Sequence, residues 1–201
     1  MNTRHRITHQ RGSRWRLGTL ILLTVVAAAS AACTSKPQET GKPTHTAQEF
    51  CAPFLNFFQT EFPIKDVKLG YLGVDGKPDA PVKDVQFALT CRFDSTSNSL
   101  VRATASLTPV KPGDSDTKWI DNLKELHFVP LQGHQNEIWI QDSRTKEGPI
   151  QTKGTVEMTT RIAPWTGSIE ILNERDSLAI TDAQISSAAD LLIKTTEAMG
   201  H

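Results

Sequence analysis

Histidine and cysteine are the residue types with the most chemical potential in this sequence, which contains six histidines and three cysteines. His127 and His134 flank a short apolar segment, and His134 forms an H-x-x-E pattern with Glu137 that could bind a metal ion or move a proton. The spacing matches no ligand pattern, and histidines in a loop or at a sheet edge explain it more simply. We therefore predict no metal site, no cofactor and no catalytic residue.

Common catalytic and nucleotide-binding motifs are missing from the sequence. It has no G-x-S-x-G around a nucleophilic serine, no P-loop, no G-x-G-x-x-G and no H-E-x-x-H. The prediction is that the protein is not an enzyme, and a hydrolase whose site has no recognisable motif is the remaining alternative.

Trp139, Trp165 and Arg161 are the best candidates for a binding surface, because tryptophan and arginine dominate the energetics of protein interfaces. Trp139 lies between two isoleucines and should face away from them on a strand. It would then lie on the solvent side of the sheet, where exposed apolar side chains mark contacts. Trp165 is expected in a turn beside Arg161. Alternatively, helices or residues 142–151 cover Trp139.

The N-terminal segment has the pattern of a secretory signal. Residues 1–16 contain five arginines and no acidic residue, residues 20–29 form an apolar core, and small residues follow up to Ala32. The apolar stretch 17–32 is 16 residues long, whereas a membrane-spanning helix needs about 20. We therefore predict a signal peptide over residues 1–32.

The end of this segment, Ser30-Ala31-Ala32-Cys33, resembles the lipobox of bacterial lipoproteins, a small-residue triplet that ends in cysteine. The resemblance implies that Cys33 receives a diacylglyceryl group and becomes the N-terminus of a protein on the extracytoplasmic side of the cell membrane. The lipid would anchor the protein. Residues 33–45, which lack large apolar side chains, would form a flexible tether. Ordinary secretion after cleavage near Ala32 and an uncleaved N-terminal anchor are the alternatives.

Lipidation would also account for the cysteine count and change the charge. It would consume Cys33 and leave Cys51 and Cys91, which should form a disulfide outside the cytoplasm; two unpaired buried thiols are the alternative. Loss of the signal peptide would remove five arginines from a chain of net charge zero, leaving 17 basic and 22 acidic residues and a charge of −5. A mildly acidic protein has no electrostatic reason to bind nucleic acid.

The first half of the mature chain reads as a helix followed by a hairpin. A Thr-x-x-Glu capping box at residue 46 begins a helix with five phenylalanines, which either kinks at Pro53 or restarts there. These rings are core residues or, alternatively, an exposed face for a lipid or partner protein. Alternation over residues 84–94 predicts a strand with Phe87 in its buried set, paired with a strand over residues 101–108.

The second half alternates helices and short strands. An apolar stripe predicts a helix around residues 119–126, strands are expected near residues 128–131, 137–141, 155–162 and 169–171, and a capping box at residue 181 begins a last helix. This order predicts a single α+β domain over residues 46–201, an antiparallel β-sheet with helices packed over one face.

The order of these elements, with Cys51 in the first helix and Cys91 in a strand flanked by residues 87–90 and 92–93, is similar to that of the small uncharacterised lipoproteins of actinobacteria. The resemblance covers about residues 50–199 and includes the terminal segment 178–199. It implies a location and a fold, and it carries no activity or site.

The function predicted from the sequence is a membrane-anchored binding or interaction module of the cell envelope. Its partner would be another envelope protein or a wall component, docking near Trp139 and Trp165. The alternative is a carrier of an apolar ligand such as a lipid, held in a cavity between the Phe-rich helix and the sheet.

Overall fold

The computed structural model of the protein describes residues 44–62, 66–73, 76–96, 101–144, 154–173 and 179–201. The predicted signal peptide and Cys33 lie outside these residues. The described chain forms, in order, α1 (Ala47–Glu61), β1 (Val67–Leu72), β2 (Leu89–Ser95), β3 (Val101–Pro109), α2 (Asp116–Glu125), β4 (Val129–Pro130), β5 (Ile138–Asp142), β6 (Gly154–Ile162), β7 (Trp165–Asn173) and α3 (Asp182–Ala198). No helix in this part of the chain is long and apolar enough to span a bilayer.

The seven strands of the described chain pair in one antiparallel sheet, in the order β1-β2-β3-β7-β6-β5-β4. Strands that follow each other closely in the chain pair as neighbours, and the pairing of β3 with β7 joins the two halves. The predicted α+β class with an antiparallel sheet is confirmed.

The main hydrophobic core lies between one face of the sheet and the helices α1 and α3. The five phenylalanines of residues 50–62 are all buried in it, together with the apolar stripe of α3. The ring of Phe58 on α1 lies 5.0 Å, centroid to centroid, from the ring of Phe93 on β2. The core interpretation of the phenylalanines is therefore confirmed.

Helices α1 and α3 begin at the predicted capping boxes. At α1, the Thr46 hydroxyl accepts a bond from the Glu49 backbone N–H at 3.2 Å, and the Glu49 carboxylate accepts one from the Thr46 N–H at 3.2 Å. The helix continues through Pro53 without restarting. A disulfide joins Cys51 of α1 to Cys91 of β2, with the Cα atoms 5.6 Å apart, so the predicted pairing is confirmed.

Helix α2 lies on the opposite face of the sheet, where the sequence predicts no helix. Leu123 of α2 and the following Phe128 pack against Trp139 of β5 in a cluster separate from the main core. Trp139 alternates with Ile138 and Ile140, which belong to the main core, so its side chain must point to the other side. Two helices therefore share one face, as predicted, and the third covers part of the other.

The strand predicted over residues 84–94 begins five residues later, at Leu89. Residues Val82–Asp84 form a short 3-10 turn instead, and Phe87, predicted in the buried set, is 76% exposed. The reason is tertiary: the Val82 N–H donates to the His45 carbonyl at 2.7 Å, so this segment is held beside the start of α1 and bends away from the sheet.

Candidate functional site

The predicted binding surface around Trp139, Trp165 and Arg161 is not an exposed patch. Trp139 is only 4% exposed and Trp165 only 6%, and they lie in separate clusters on opposite faces of the sheet. Trp165 is the first residue of β7 and not part of a turn, and its indole N–H donates to the Met199 carbonyl at 2.9 Å. The alternative, that a helix covers Trp139, is confirmed, because Leu123 of α2 packs against this side chain.

Arg161 connects β6 to the start of α2. Its guanidinium carbon lies 5.0 Å from the ring centroid of Trp119, a cation–π arrangement. One of its N–H groups lies 3.3 Å from the Ser115 carbonyl and 3.4 Å from the Asp116 carboxylate. These contacts use the Nη1 atom and the face of the guanidinium to position α2, while the buried Nε atom of Arg161 has no hydrogen-bond partner among the described residues.

The histidines of the described residues do not converge on a site. The His134 ring is buried, with its Nδ1 atom 2.6 Å from the Asp190 carboxylate of α3. Glu137, the other member of the H-x-x-E pattern, instead accepts a hydrogen bond from the indole N–H of Trp139 at 2.9 Å. Within the described ranges, no group of three or more His, Cys, Asp and Glu side chains could hold a metal ion.

A groove of about 300 Å³ opens between α2 and the polar face of the sheet. We call it the α2 groove. Its apolar wall comes from the end of α2 and the residues after it, and its polar floor comes from β3, β5, β6 and β7. The lining residues are Thr108, Leu123, Leu126, Phe128, Gln141, Glu157, Thr159, Thr166 and Ser168.

Strand alternation explains the polar floor of the α2 groove. Val156 and Met158 of β6 point into the main core, so Glu157 and Thr159 point to the opposite face. The Thr159 hydroxyl donates to the Gly167 carbonyl at 3.1 Å. The Gln141 amide donates to the Leu126 carbonyl at 2.8 Å, which fixes the end of α2 above the floor.

Glu157, in the lining of the α2 groove, has a raised pKa. It is half-buried and lies directly opposite Glu170 of β7 in the strand register. Burial raises the pKa of the Glu157 carboxyl, and the neighbouring charge of Glu170 raises this pKa further. No hydrogen bond or ion pair joins the Glu157 carboxylate to another residue of the described chain. Partial burial of a carboxyl that has no hydrogen-bond partner among the described residues disfavours its charged form, and such perturbed groups cluster at functional sites.

The interior between α1 and the sheet is filled by side chains. Phe54 and Leu89 are fully buried there, and Phe57 is nearly so. The rings of Phe57 and Phe62 are in edge contact, with centroids 5.6 Å apart. This packing gives no support to the expectation of an apolar ligand between the Phe-rich helix and the sheet.

The chain matches no known protein-family model, and no curated protein or solved structure matches it. The features that bear on function are therefore the sequence of the N-terminal segment and the geometry of the α2 groove.

The sequence does not single out Glu157, although it contains one signal for this residue. The alternation of residues 155–162 places Glu157 on the outward face of its strand, where a glutamate is ordinary. Its two unusual neighbours, Glu170 across the ladder and α2 above it, are brought close only by the fold.

Proposed function

We propose that the protein is a lipoprotein of the bacterial cell membrane, anchored on the extracytoplasmic side through Cys33, with the described domain as a non-catalytic binding module. The anchor is supported by the cationic start, the short apolar core and the Ser-Ala-Ala-Cys end of residues 1–33. The disulfide between Cys51 and Cys91 supports an oxidising compartment, because such bonds are rare in the cytoplasm.

The proposed binding site is the α2 groove, and the observation that carries this proposal is the Glu157 carboxyl. A ligand with hydroxyl or ammonium groups would supply the hydrogen-bond donors that Glu157 lacks, and this would repay the cost of its burial. The same ligand could lay an apolar face against Leu126 and Phe128, which form the opposite wall of the groove. Wall fragments that combine sugar rings with amine-bearing peptides have both features.

The anchor is tested by the substitution Cys33→Ala in the full chain. We expect the variant protein to appear in the medium or to remain as unprocessed precursor, because a lipid-bearing thiol is missing. Mass spectrometry of the N-terminal peptide of the unsubstituted protein should show a diacylglyceryl adduct on Cys33. A variant that stays membrane-bound at the mature size would contradict the anchor.

The groove is tested by titrating the protein with disaccharide-peptide fragments of the wall while recording backbone amide NMR shifts. Shifts are expected at β6 and β7 around Glu157 and Thr166. Glu157→Gln should weaken binding about tenfold or more, since a hydrogen bond to a charged group contributes about 1.5–3 kcal/mol. Thr90→Ala on β2, outside the groove, is the matched control and should bind normally. Equal binding by Glu157→Gln and the unsubstituted protein would overturn the assignment.

A further inference from the structure

A second exposed feature lies close to the point where the chain enters the domain. Phe87 is 76% exposed and Leu72, at the end of β1, is 50% exposed. The backbone of Gly73 lies so close to Ala88 that a Cβ atom at Gly73 would collide with the Ala88 carbonyl oxygen. The end of β1 and the loop with Phe87 are therefore neighbours. We call Leu72, Phe87 and the exposed Lys77 and Lys83 the tether-side patch.

The first described residues of the chain are bonded to the segment that leads to Phe87. The Ala47 N–H donates to the Ala80 carbonyl at 2.9 Å, and the Val82 N–H donates to the His45 carbonyl at 2.7 Å. A cavity of about 650 Å³ continues from this junction along residues 79–81 and 84–88. The tether-side patch is thus fixed next to the residue at which the proposed tether joins the folded domain.

The length of the tether keeps this patch near any membrane that holds Cys33. Ten residues lie between Cys33 and Thr44, and a chain of this length would have an r.m.s. reach on the order of 20 Å as the flexible coil that the proposed tether requires. Such a short tether gives the domain a high effective concentration at the bilayer surface, so that even a weak contact will be occupied.

The charge of the patch is compatible with a lipid surface. Residues 72–88, which carry the whole patch, contain two lysines and three aspartates and have a charge of −1, whereas the chain after residue 32 has a charge of −5. Most of the acidic residues responsible for that excess lie elsewhere, so the approach of this face to anionic head groups meets less repulsion. Aromatic rings with flanking lysines are the side chains that the interface between head groups and acyl chains accommodates well.

We propose that the tether-side patch docks on the phospholipid bilayer, with Phe87 inserted at the level of the head groups, and so fixes the orientation of the anchored domain. This inference rests on the proposed lipid anchor at Cys33.

The test uses the lipidated protein in phosphatidylcholine vesicles that contain brominated phosphatidylcholine, which quenches tryptophan on contact. The variants Phe87→Trp and Leu126→Trp each place a new tryptophan at an exposed apolar position, the second of them in the α2 groove. We expect the emission of Trp at position 87 to shift to the blue and to be quenched, with no change in high salt. Leu126→Trp should show no quenching beyond that of the native tryptophans.

The outcomes separate this inference from the proposed anchor. Mass spectrometry of Cys33 and flotation with the vesicles show whether the lipid is present. If the protein floats with its lipid in place and the tryptophan at position 87 is not quenched, docking of the patch is wrong and the anchor stands. If Cys33 carries no lipid, the anchor is wrong and the docking inference is overturned with it. Because Phe87 is exposed, its replacement should leave the far-UV circular dichroism and thermal unfolding unchanged.

Discussion

Replacing both Cys51 and Cys91 by alanine tests how much of the stability of the domain comes from the link between α1 and β2. The two residues are 40 positions apart, and closing a loop of this length stabilises a protein by about 4 kcal/mol in the chain-entropy model. For a domain of this size, 1 kcal/mol shifts Tm by about 2–4 °C, so the loss should lower Tm by about 8–16 °C.

The assay is unfolding in urea and by heat, followed by the fluorescence of the buried Trp139 and Trp165. All variants would begin at residue 33 and carry Cys33→Ser, so that no third thiol can exchange with the disulfide. Both half-cystines are fully buried, so alanine is preferred to serine, whose hydroxyl would be buried without a guaranteed partner at a cost of about 1–3 kcal/mol.

A reducing agent provides the matched control. It should destabilise the protein that contains Cys51 and Cys91 by about the same amount as the double substitution, and it should leave the Cys51→Ala/Cys91→Ala variant unchanged. A loss of less than about 1 kcal/mol would refute the loop-closure argument, and it would show that the unfolded chain is already restricted in this region.

Three further predictions concern the sheet and its two faces. Gly167→Ala should destabilise the domain by about 1–3 kcal/mol in urea unfolding, because a Cβ atom there would collide with the Thr196 hydroxyl of α3; Gly70→Ala, where only ordinary contacts are met, is the control and should be nearly neutral. The raised pKa of Glu157 means that its contribution to stability is fully present below the pKa of an unfolded glutamate and is lost as pH rises through the folded pKa. Glu157→Gln should therefore raise Tm at pH 7 relative to the unsubstituted protein and change it little at pH 3. The same change in Tm at both pH values would contradict the raised pKa. Arg144→Met should destabilise the domain by about 1–3 kcal/mol, because the buried guanidinium lies 2.7 Å from the carboxylates of both Asp142 and Asp182. The loss should be smaller than for a fully buried ion pair, because Asp182 is largely exposed. Unchanged urea unfolding would show that these two ion pairs contribute nothing to stability.

The α2 groove shows where reasoning from the sequence stops. The alternation of apolar and polar residues in β6 and β7 places Glu157 and Glu170 on the outward face of the sheet. It gives neither the register that sets these two carboxylates opposite each other nor the helix above one of them. Both depend on contacts between segments distant in the chain, and a period of two residues contains no information about them.

Trp139 and Phe87 show that the sequence alone does not determine exposure: Trp139 is more buried than predicted, and Phe87 is more exposed. Trp139 was expected on the solvent side of its strand and does point there, but α2 covers it. Phe87 was expected in the core because it continues the alternation of β2, but the hydrogen bonds to the start of α1 end that strand before it. The prediction for Phe87 was therefore wrong, and in both cases a distant segment decided the exposure of the side chain.

Local chemistry alone determined the helix starts, the hairpins and the α+β class. A capping box is made by residues three positions apart, and a hairpin by strands that are close neighbours in the chain, so both are contained in short stretches of sequence. The disulfide could also be predicted from the sequence, because two cysteines remain once Cys33 is assigned to the lipid. Only the tertiary structure decided which face each helix covers, which aromatic residues stay exposed, and where a half-buried carboxyl remains without a protein partner, because these properties arise from packing between segments far apart in the chain.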